Sequence, residues 1–213
     1  QRQMCIRDRA KNTAQNFEQA KTFFAKKEWA KAKNQLLAIQ NTDSGSIESK
    51  RSRFLLGLIN IQNNKNEEAI ALLTPLIKNY PDIEDYILLN LAKAELLNKK
   101  YEEARAHALQ LIKHFPDTQL YPEAQIILAE TYIQTNVIDK ATEILKKSII
   151  AITNSSRYKR FRSYLPDLIY KLAAHQENLG NKKEAYLSYR QLYIKYPNHD
   201  LTSGAETLSL IHI

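Results

Sequence analysis

Acidic side chains are the first candidates for chemistry, because a glycoside-cleaving site needs a carboxylic acid whose pKa is raised inside a cleft. The acidic residues of this sequence occur mainly where predicted helices begin, as in Glu67–Glu68, Glu102–Glu103 and Asp82, Glu84 and Asp85. Negative charge at a helix N-terminus complements the helix dipole. We therefore interpret these residues as helix-start charges, predict no catalytic residue, and expect that this chain is not itself an enzyme.

Metal and cofactor sites also lack a suitable pattern. His107 and His114 lie seven residues apart, which is ~10.5 Å along a helix and too far for one zinc ion. The other histidines are His175, His199 and His212, and Cys5 is the single cysteine. Only four glycines are present, and none forms a phosphate-binding loop. The sequence predicts no metal and no cofactor.

One segment concentrates positive charge and aromatic rings. It contains Arg157, Lys159, Arg160 and Arg162, with Tyr158 and Phe161 between them. Such a cluster suits phosphates and bases, an anionic glycan, or the acidic strip of a partner. The alternative is a solvated connector whose two aromatic rings pack into the neighbouring helices. Both interpretations stay open at this point.

Composition favours a helical, folded protein. The 213 residues include 44% hydrophobic and 25% charged residues, and the net charge is +8. Glycine (4) and proline (6) are scarce, so the turns of a β-rich fold are missing. No run of apolar residues approaches the ~20 that span a bilayer.

An internal repeat organises the chain. Alanine precedes a proline by twelve residues three times, and a second small residue lies twelve residues earlier. Five alanines assigned to the second helix of each predicted pair, Ala32, Ala69, Ala104, Ala141 and Ala185, are spaced by 37, 35, 37 and 44 residues. Small residues let two helices approach closely, and proline ends a helix. The predicted repeat anchors are Ala32, Gly57, Ala69, Pro81, Ala92, Ala104, Pro116, Ala129, Ala141, Ala173, Ala185 and Pro197.

The repeat predicts ten helices in five pairs, with a kink at Pro75. They lie near 13–26 and 28–41, 46–63 and 66–79, 83–98 and 101–114, 121–135 and 138–152, and 164–179 and 182–196. Four repeats occupy 10–153, a basic insertion or connector occupies 154–163, and 164–207 holds the fifth repeat and the start of a further helix. Residues 1–9 and 208–213 resemble translated sequencing-adapter read-through and are interpreted as non-native tails.

This unit resembles the tetratricopeptide repeat, whose period is 34 with two fixed small positions and a terminal proline. The resemblance implies an all-α solenoid, a right-handed superhelix of about five helix pairs that binds a protein or peptide on its concave surface. The candidate binding residues on that surface are Arg51, Phe54, Leu58, Gln62, Tyr86, Leu89, Lys93, Leu97, Glu123, Ile126, Glu130, Gln134, Tyr170, Glu177 and Asn178.

Two segments, Tyr80–Ala92 and Tyr189–Pro197, resemble the superhelical N-terminal region of periplasmic soluble lytic murein transglycosylases. That resemblance implies a periplasmic scaffold with peptidoglycan as a partner. The catalytic motif of that family, a Glu-Ser pair followed by Gly-Leu-Met-Gln, is absent, so we expect the sequence to stop before the enzyme domain. The alternatives are a free-standing adaptor, cytoplasmic or anchored as an envelope lipoprotein, and a weaker one, a nucleic-acid-binding helical array.

Overall fold

The computed structural model describes residues 2–42 and 45–202, and within these the side chains outside 2–11, 41–42 and 138. The described residues form α-helices and 3-10 helices and no strand. The predicted all-α fold is therefore confirmed. The predicted tail 208–213 lies outside the described residues, whereas the backbone of residues 200–202 is helical.

The helices form two compact units, Gln1–Lys100 and Tyr101–Ile213. The first contains α1 (Arg2–Ala25), α2 (Trp29–Thr42), α3 (Ile47–Gln62), α4 (Asn66–Leu73), α5 (Leu76–Asn79), a 3-10 turn (Pro81–Ile83) and α6 (Glu84–Leu97). The second contains α7 (Tyr101–His114), α8 (Tyr121–Gln134), α9 (Ile138–Asn154), a 3-10 helix (Ser156–Tyr164), α10 (Leu165–Asn178) and α11 (Lys182–Lys195).

Two boundaries differ from the sequence prediction, and one predicted interruption is present. Helix α1 begins at Arg2 rather than near residue 13, so residues of the predicted tail continue the first helix. The helix predicted over 66–79 is interrupted between Leu73 and Leu76, as the kink predicted at Pro75 requires. The predicted connector 154–163 is helical through most of its length and lies inside the second unit.

Five tight turns along the chain repeat one geometry. The turn residues Lys27, Asn64, Lys99, Asn136 and Gly180 all have a positive φ, between 57° and 74°. At the third turn, the Lys99 N–H donates to the Leu96 carbonyl and the Lys100 N–H donates to the Glu95 carbonyl. This pair of bonds satisfies carbonyls left open at a helix C-terminus. Successive turns are separated by the same numbers of residues as the predicted alanines, so the turns mark five repeats.

The small residues of the repeat lie where helices meet. Ala20, Ala32 and Ala69 are fully buried in the first unit, and Gly57 is buried beside Leu73. A Cβ atom added to Gly57 would lie 2.7 Å from Leu73 Cδ2, which is closer than non-bonded carbon atoms pack. Close contact between α3 and α4 therefore requires glycine at this position.

The core of the first unit has two parts. Phe17, Leu36, Ile39, Leu56 and Ile59 join α1, α2 and α3. A second cluster joins α3 to α6 through Ile61, Leu73, Leu76, Tyr80, Ile87 and Leu91. Each helix pair thus covers an apolar side of its neighbour, which is how such repeats become stable.

The second unit has a continuous core from α8 to α11. Ala129, Leu145, Leu168, Ala173, Ala185 and Leu192 belong to it, with relative exposures of 1% or less. Phe161 of the 3-10 helix is a member of the same cluster and is 1% exposed. The basic segment is therefore anchored to the repeats on both sides of it.

Candidate functional site

One candidate face lies on α3 and α6 in the first unit. Arg51 and Gln62 are exposed on α3, and Phe54 and Leu58 are half-buried. On α6, Tyr86 and Leu97 are 46% and 50% exposed, and Lys93 is also exposed. The Arg51 Nε donates a hydrogen bond of 3.5 Å to the Tyr80 hydroxyl, and this bond raises the pKa of Arg51. The face combines apolar and aromatic surface with positive charge.

Leu89 does not belong to this face, which corrects the sequence prediction. Its side chain is only 6% exposed, and Ile87 and Leu88 beside it are fully buried. Three consecutive buried residues cover more than half of the circumference of a helix at 3.6 residues per turn. The sequence prediction assumed that α6 buries a single stripe of side chains. In the structure, neighbouring helices cover a wider part of its circumference, and Leu89 lies within that part.

A second candidate face lies on α8 and α10 in the second unit. Glu123, Ile126, Glu130, Tyr170 and Glu177 are half-buried there, and Gln134 and Asn178 are exposed. Its carboxylates have local partners. The Tyr164 hydroxyl donates to Glu123 Oε1 at 3.5 Å, the Tyr189 hydroxyl donates to Glu177 Oε2 at 3.0 Å, and Lys171 forms an ion pair with Glu130. This face is acidic, in contrast to the basic face of the first unit.

Tyr189 lies beneath this acidic face. It is 1% exposed, and its ring packs edge-on against Tyr170 with the ring centroids 6.0 Å apart. Burial, together with the hydrogen bond to the Glu177 carboxylate, raises the pKa of the Tyr189 hydroxyl strongly above its usual value. The hydroxyl therefore stays protonated and holds Glu177 in place.

The remaining titratable candidates that the structure describes are distributed over several helices. His175 is 5% exposed within α10, His107 is half-buried, and His114 and the pairs Glu67–Glu68 and Glu102–Glu103 are exposed. Among the side chains that the structure describes, no group of three or more His, Cys, Asp or Glu residues could hold a metal ion. No helix in the described part of the chain is long and apolar enough to cross a membrane.

Family comparisons agree with the five turns. Three models described as tetratricopeptide repeat match residues 54–122, 98–164 and 167–199, which together cover more than half of the sequence. The chain is a tetratricopeptide-repeat protein. A comparison with curated proteins found no match.

Solved tetratricopeptide structures share the fold at low identity. A tetratricopeptide repeat protein from Parabacteroides merdae has a TM-score of 0.74 at 18% identity, over 95% of this chain and 73% of that one. PilF of Pseudomonas aeruginosa has a TM-score of 0.66 at 15% identity, over 96% and 90% of the two chains. YrrB, described as a tetratricopeptide protein with an unusual peptide-binding site, has a TM-score of 0.63 at 12% identity, over 90% of each chain.

The basic segment of this tetratricopeptide chain, the 3-10 helix Ser156–Tyr164, is held in place by stacked aromatic rings. Tyr121, Tyr158 and Phe161 stack face to face, and the centroids of Tyr121 and Tyr158 are 5.0 Å apart. Arg157, Lys159, Arg160 and Arg162 are exposed around this stack. Phe161 is buried and Tyr158 half-buried, as the connector interpretation expects. Both rings pack against Tyr121, which reduces the aromatic surface that the nucleic-acid interpretation needs.

Proposed function

We propose that this chain is a non-catalytic protein-interaction module. It binds a peptide or a short helix on the exposed side of the first helix of each repeat pair; these are called the first helices below. The observation that carries the proposal is the stripe formed by Tyr86, Lys93 and Leu97 on α6. These residues are seven and four positions apart, so they share one side of the helix. Two large apolar side chains are about half exposed there, and a cation lies between them.

A mixed stripe of this kind suits recognition of a peptide. Partly exposed aromatic and aliphatic side chains supply contact area, and charged neighbours fix orientation and partner choice. In the first unit these neighbours are Arg51 and Lys93, whereas in the second unit they are Glu123, Glu130 and Glu177. The first unit should therefore favour peptides that combine apolar and acidic residues. The structural similarity to YrrB, described as having a peptide-binding site, is in keeping with this proposal.

Selection from a random peptide library tests the proposal, with Tyr86→Ala/Leu97→Ala as the variant. Leu37→Ala is the matched control, because Leu37 is 41% exposed on the second helix of a pair in the same unit. Selected peptides should lose about tenfold or more in affinity for the double variant and less than about twofold for the control. Peptides that bind all three proteins equally, or a library without enrichment, would contradict the proposal.

A narrower proposal is that this module is the periplasmic scaffold of a peptidoglycan lytic transglycosylase. It is supported by the resemblance of Tyr80–Ala92 and Tyr189–Pro197 to that family. Sequence of the same gene beyond residue 207 tests it. A lysozyme-like domain there would support the scaffold and a periplasmic location. A reading frame without one would instead favour a free-standing adaptor, either cytoplasmic or anchored as an envelope lipoprotein.

A further inference from the structure

The 3-10 helix Ser156–Tyr164 carries more positive charge than its surroundings neutralise. Arg157, Lys159, Arg160 and Arg162 are all exposed, and no acidic residue lies within the segment. Of these four cations, only Arg157 forms an ion pair with a described residue, Asp117. A surplus of exposed cations within one short segment attracts anionic partners and speeds their encounter.

Contacts with the core and with neighbouring backbone hold this basic segment in place. Phe161 is 1% exposed, and its ring centroid lies 5.8 Å from that of Tyr158 and 6.1 Å from that of Tyr121. The Arg160 guanidinium lies over the Phe161 ring at 5.0 Å, and Arg162 Nη2 donates to the Thr153 carbonyl at 3.3 Å. Groups that are already held in place lose less conformational entropy when a partner binds.

The contact with Asp117 shows how this surface accepts a carboxylate. Arg157 Nε donates to Asp117 Oδ1 at 2.6 Å, although both side chains are at least half exposed to solvent. The hydrogen bond from Arg157, with a smaller contribution from Arg160, lowers the pKa of Asp117 below its usual value. The field of the segment therefore favours carboxylates in their charged form.

A small cavity lies beside Arg160. It has a volume of about 190 Å³ and is lined by Gln119, Arg160, Phe161 and Tyr164. Liquid water occupies ~30 Å³ per molecule, so the cavity has room for about six waters, which is enough for one carboxylate side chain. A guanidinium offers paired N–H donors that match a carboxylate, and the amide of Gln119 adds a further donor.

The nature of the ligand follows from these features. Recognition of single-stranded nucleic acid uses exposed rings on which bases stack. Here the ring of Phe161 is buried in the core, and the half-buried ring of Tyr158 packs against both Tyr121 and Phe161. What remains accessible is charge and hydrogen-bond donors around a cavity the size of a side chain.

We propose that the 3-10 helix 156–164 is a docking site for an acidic segment of a partner polypeptide, with one carboxylate side chain seated beside Arg160. The site shares no residue with the stripe of Tyr86, Lys93 and Leu97, but its Tyr164 hydroxyl donates to Glu123 of the acidic face on α8. It gives the chain a second binding surface, which selects partners that carry a run of Asp and Glu residues.

The test uses a fluorescein-labelled peptide of about ten glutamates, with its anisotropy measured at about 50 mM and about 200 mM salt. The variant is Lys159→Ser/Arg160→Ser/Arg162→Ser. The control is Lys182→Ser/Lys183→Ser/Lys195→Ser, which removes the same charge from exposed positions of α11. The Kd should rise about tenfold or more in the variant and less than about twofold in the control. Arg160→Lys, which keeps the charge but loses the planar donor pair, should give an intermediate loss.

Several outcomes would overturn the proposal. Equal losses in variant and control would show attraction by net charge alone, and an unbound peptide at the lower salt would show that no site exists. Oligothymidylate or phosphatidylserine vesicles that bind more tightly than the peptide, and depend on the same residues, would assign the site to nucleic acid or membrane. Library peptides that occupy the first helices should bind the variant normally, which separates this test from that of the proposed function.

Discussion

Arg105 on α7 donates a hydrogen bond of 2.6 Å to Thr135 Oγ1, at the end of α8. The same guanidinium donates to the Thr131 carbonyl at 3.3 Å and lies over the Tyr132 ring at 4.2 Å. Its side chain is 15% exposed. A single arginine thus binds the last turn of α8 and joins two successive repeats of the second unit.

Arg105→Lys should lower the free energy of unfolding by about 1–2 kcal/mol, because an ammonium group cannot make these contacts at once. Urea denaturation followed by circular dichroism measures the change. Arg190→Lys is the control, because Arg190 is exposed on α11. Equal midpoints for the two variants would show that the contacts of Arg105 contribute nothing to stability.

Gly57→Ala tests the close contact between α3 and α4. In an ordinary helix this substitution stabilises by ~1 kcal/mol. Here we expect destabilisation by about 1–3 kcal/mol, because the new methyl group would lie 2.7 Å from Leu73 Cδ2. Gly45→Ala is the control, since a Cβ atom there meets nothing within 4 Å. A Gly57→Ala protein with a higher melting temperature would contradict the packing described.

The fold was largely predictable because its determinants are local. Small residues, helix-ending prolines and their spacing predicted five pairs, and the five turn residues with a positive φ have the same spacing. The interruption at Pro75 was predictable, since proline lacks the N–H that donates the backbone hydrogen bond of a helix. The ordered state of 156–164 was not predictable, because it depends on the ring of Tyr121, which lies 37 residues before Tyr158.

For the candidate faces, the sequence predicted which helix positions repeat, but not how exposed each position is. Most of the predicted residues are exposed or half-buried, but Leu89 is buried, because the width of the enclosed side of α6 depends on its neighbours in space. Arg105 was missed altogether. Its partners Thr131 and Thr135 lie on the next helix, and no spacing within one helix indicates such a contact.

The turn residue Lys99 offers a stabilising change. Lysine is strained at its φ of 61°, whereas glycine adopts this conformation without a steric cost. Lys99→Gly should therefore raise the free energy of unfolding by about 0.5–1 kcal/mol, in spite of the flexibility that glycine adds to the unfolded chain. The same change within α6, Lys93→Gly, should lower it by about 1 kcal/mol. Thermal unfolding of both proteins gives the comparison, and a loss of stability in both would contradict the turn geometry.

Buried tyrosines should make the second unit sensitive to alkali. Burial raises the pKa values of Tyr121, Tyr189 and Tyr196 above the usual value of 10. Their raised folded-state pKa values leave stability intact below about pH 10 and reduce it as the pH rises further, because the unfolded chain loses these protons first. Denaturation midpoints from about pH 8 to about pH 11 should fall, and Tyr189→Phe should reduce the slope. An unchanged slope would contradict this account.

Hydrogen exchange with a library-selected peptide tests whether the first helix of each pair binds the partner, since it reports which helices the peptide covers. Exchange should slow in α3 and α6 of the wild-type protein, around Arg51–Gln62 and Tyr86–Leu97, with little change in α2 and α4. This protection should disappear in Tyr86→Ala/Leu97→Ala and persist in Leu37→Ala. Protection confined to the second helices of the pairs would contradict the claim that the first helices bind the partner.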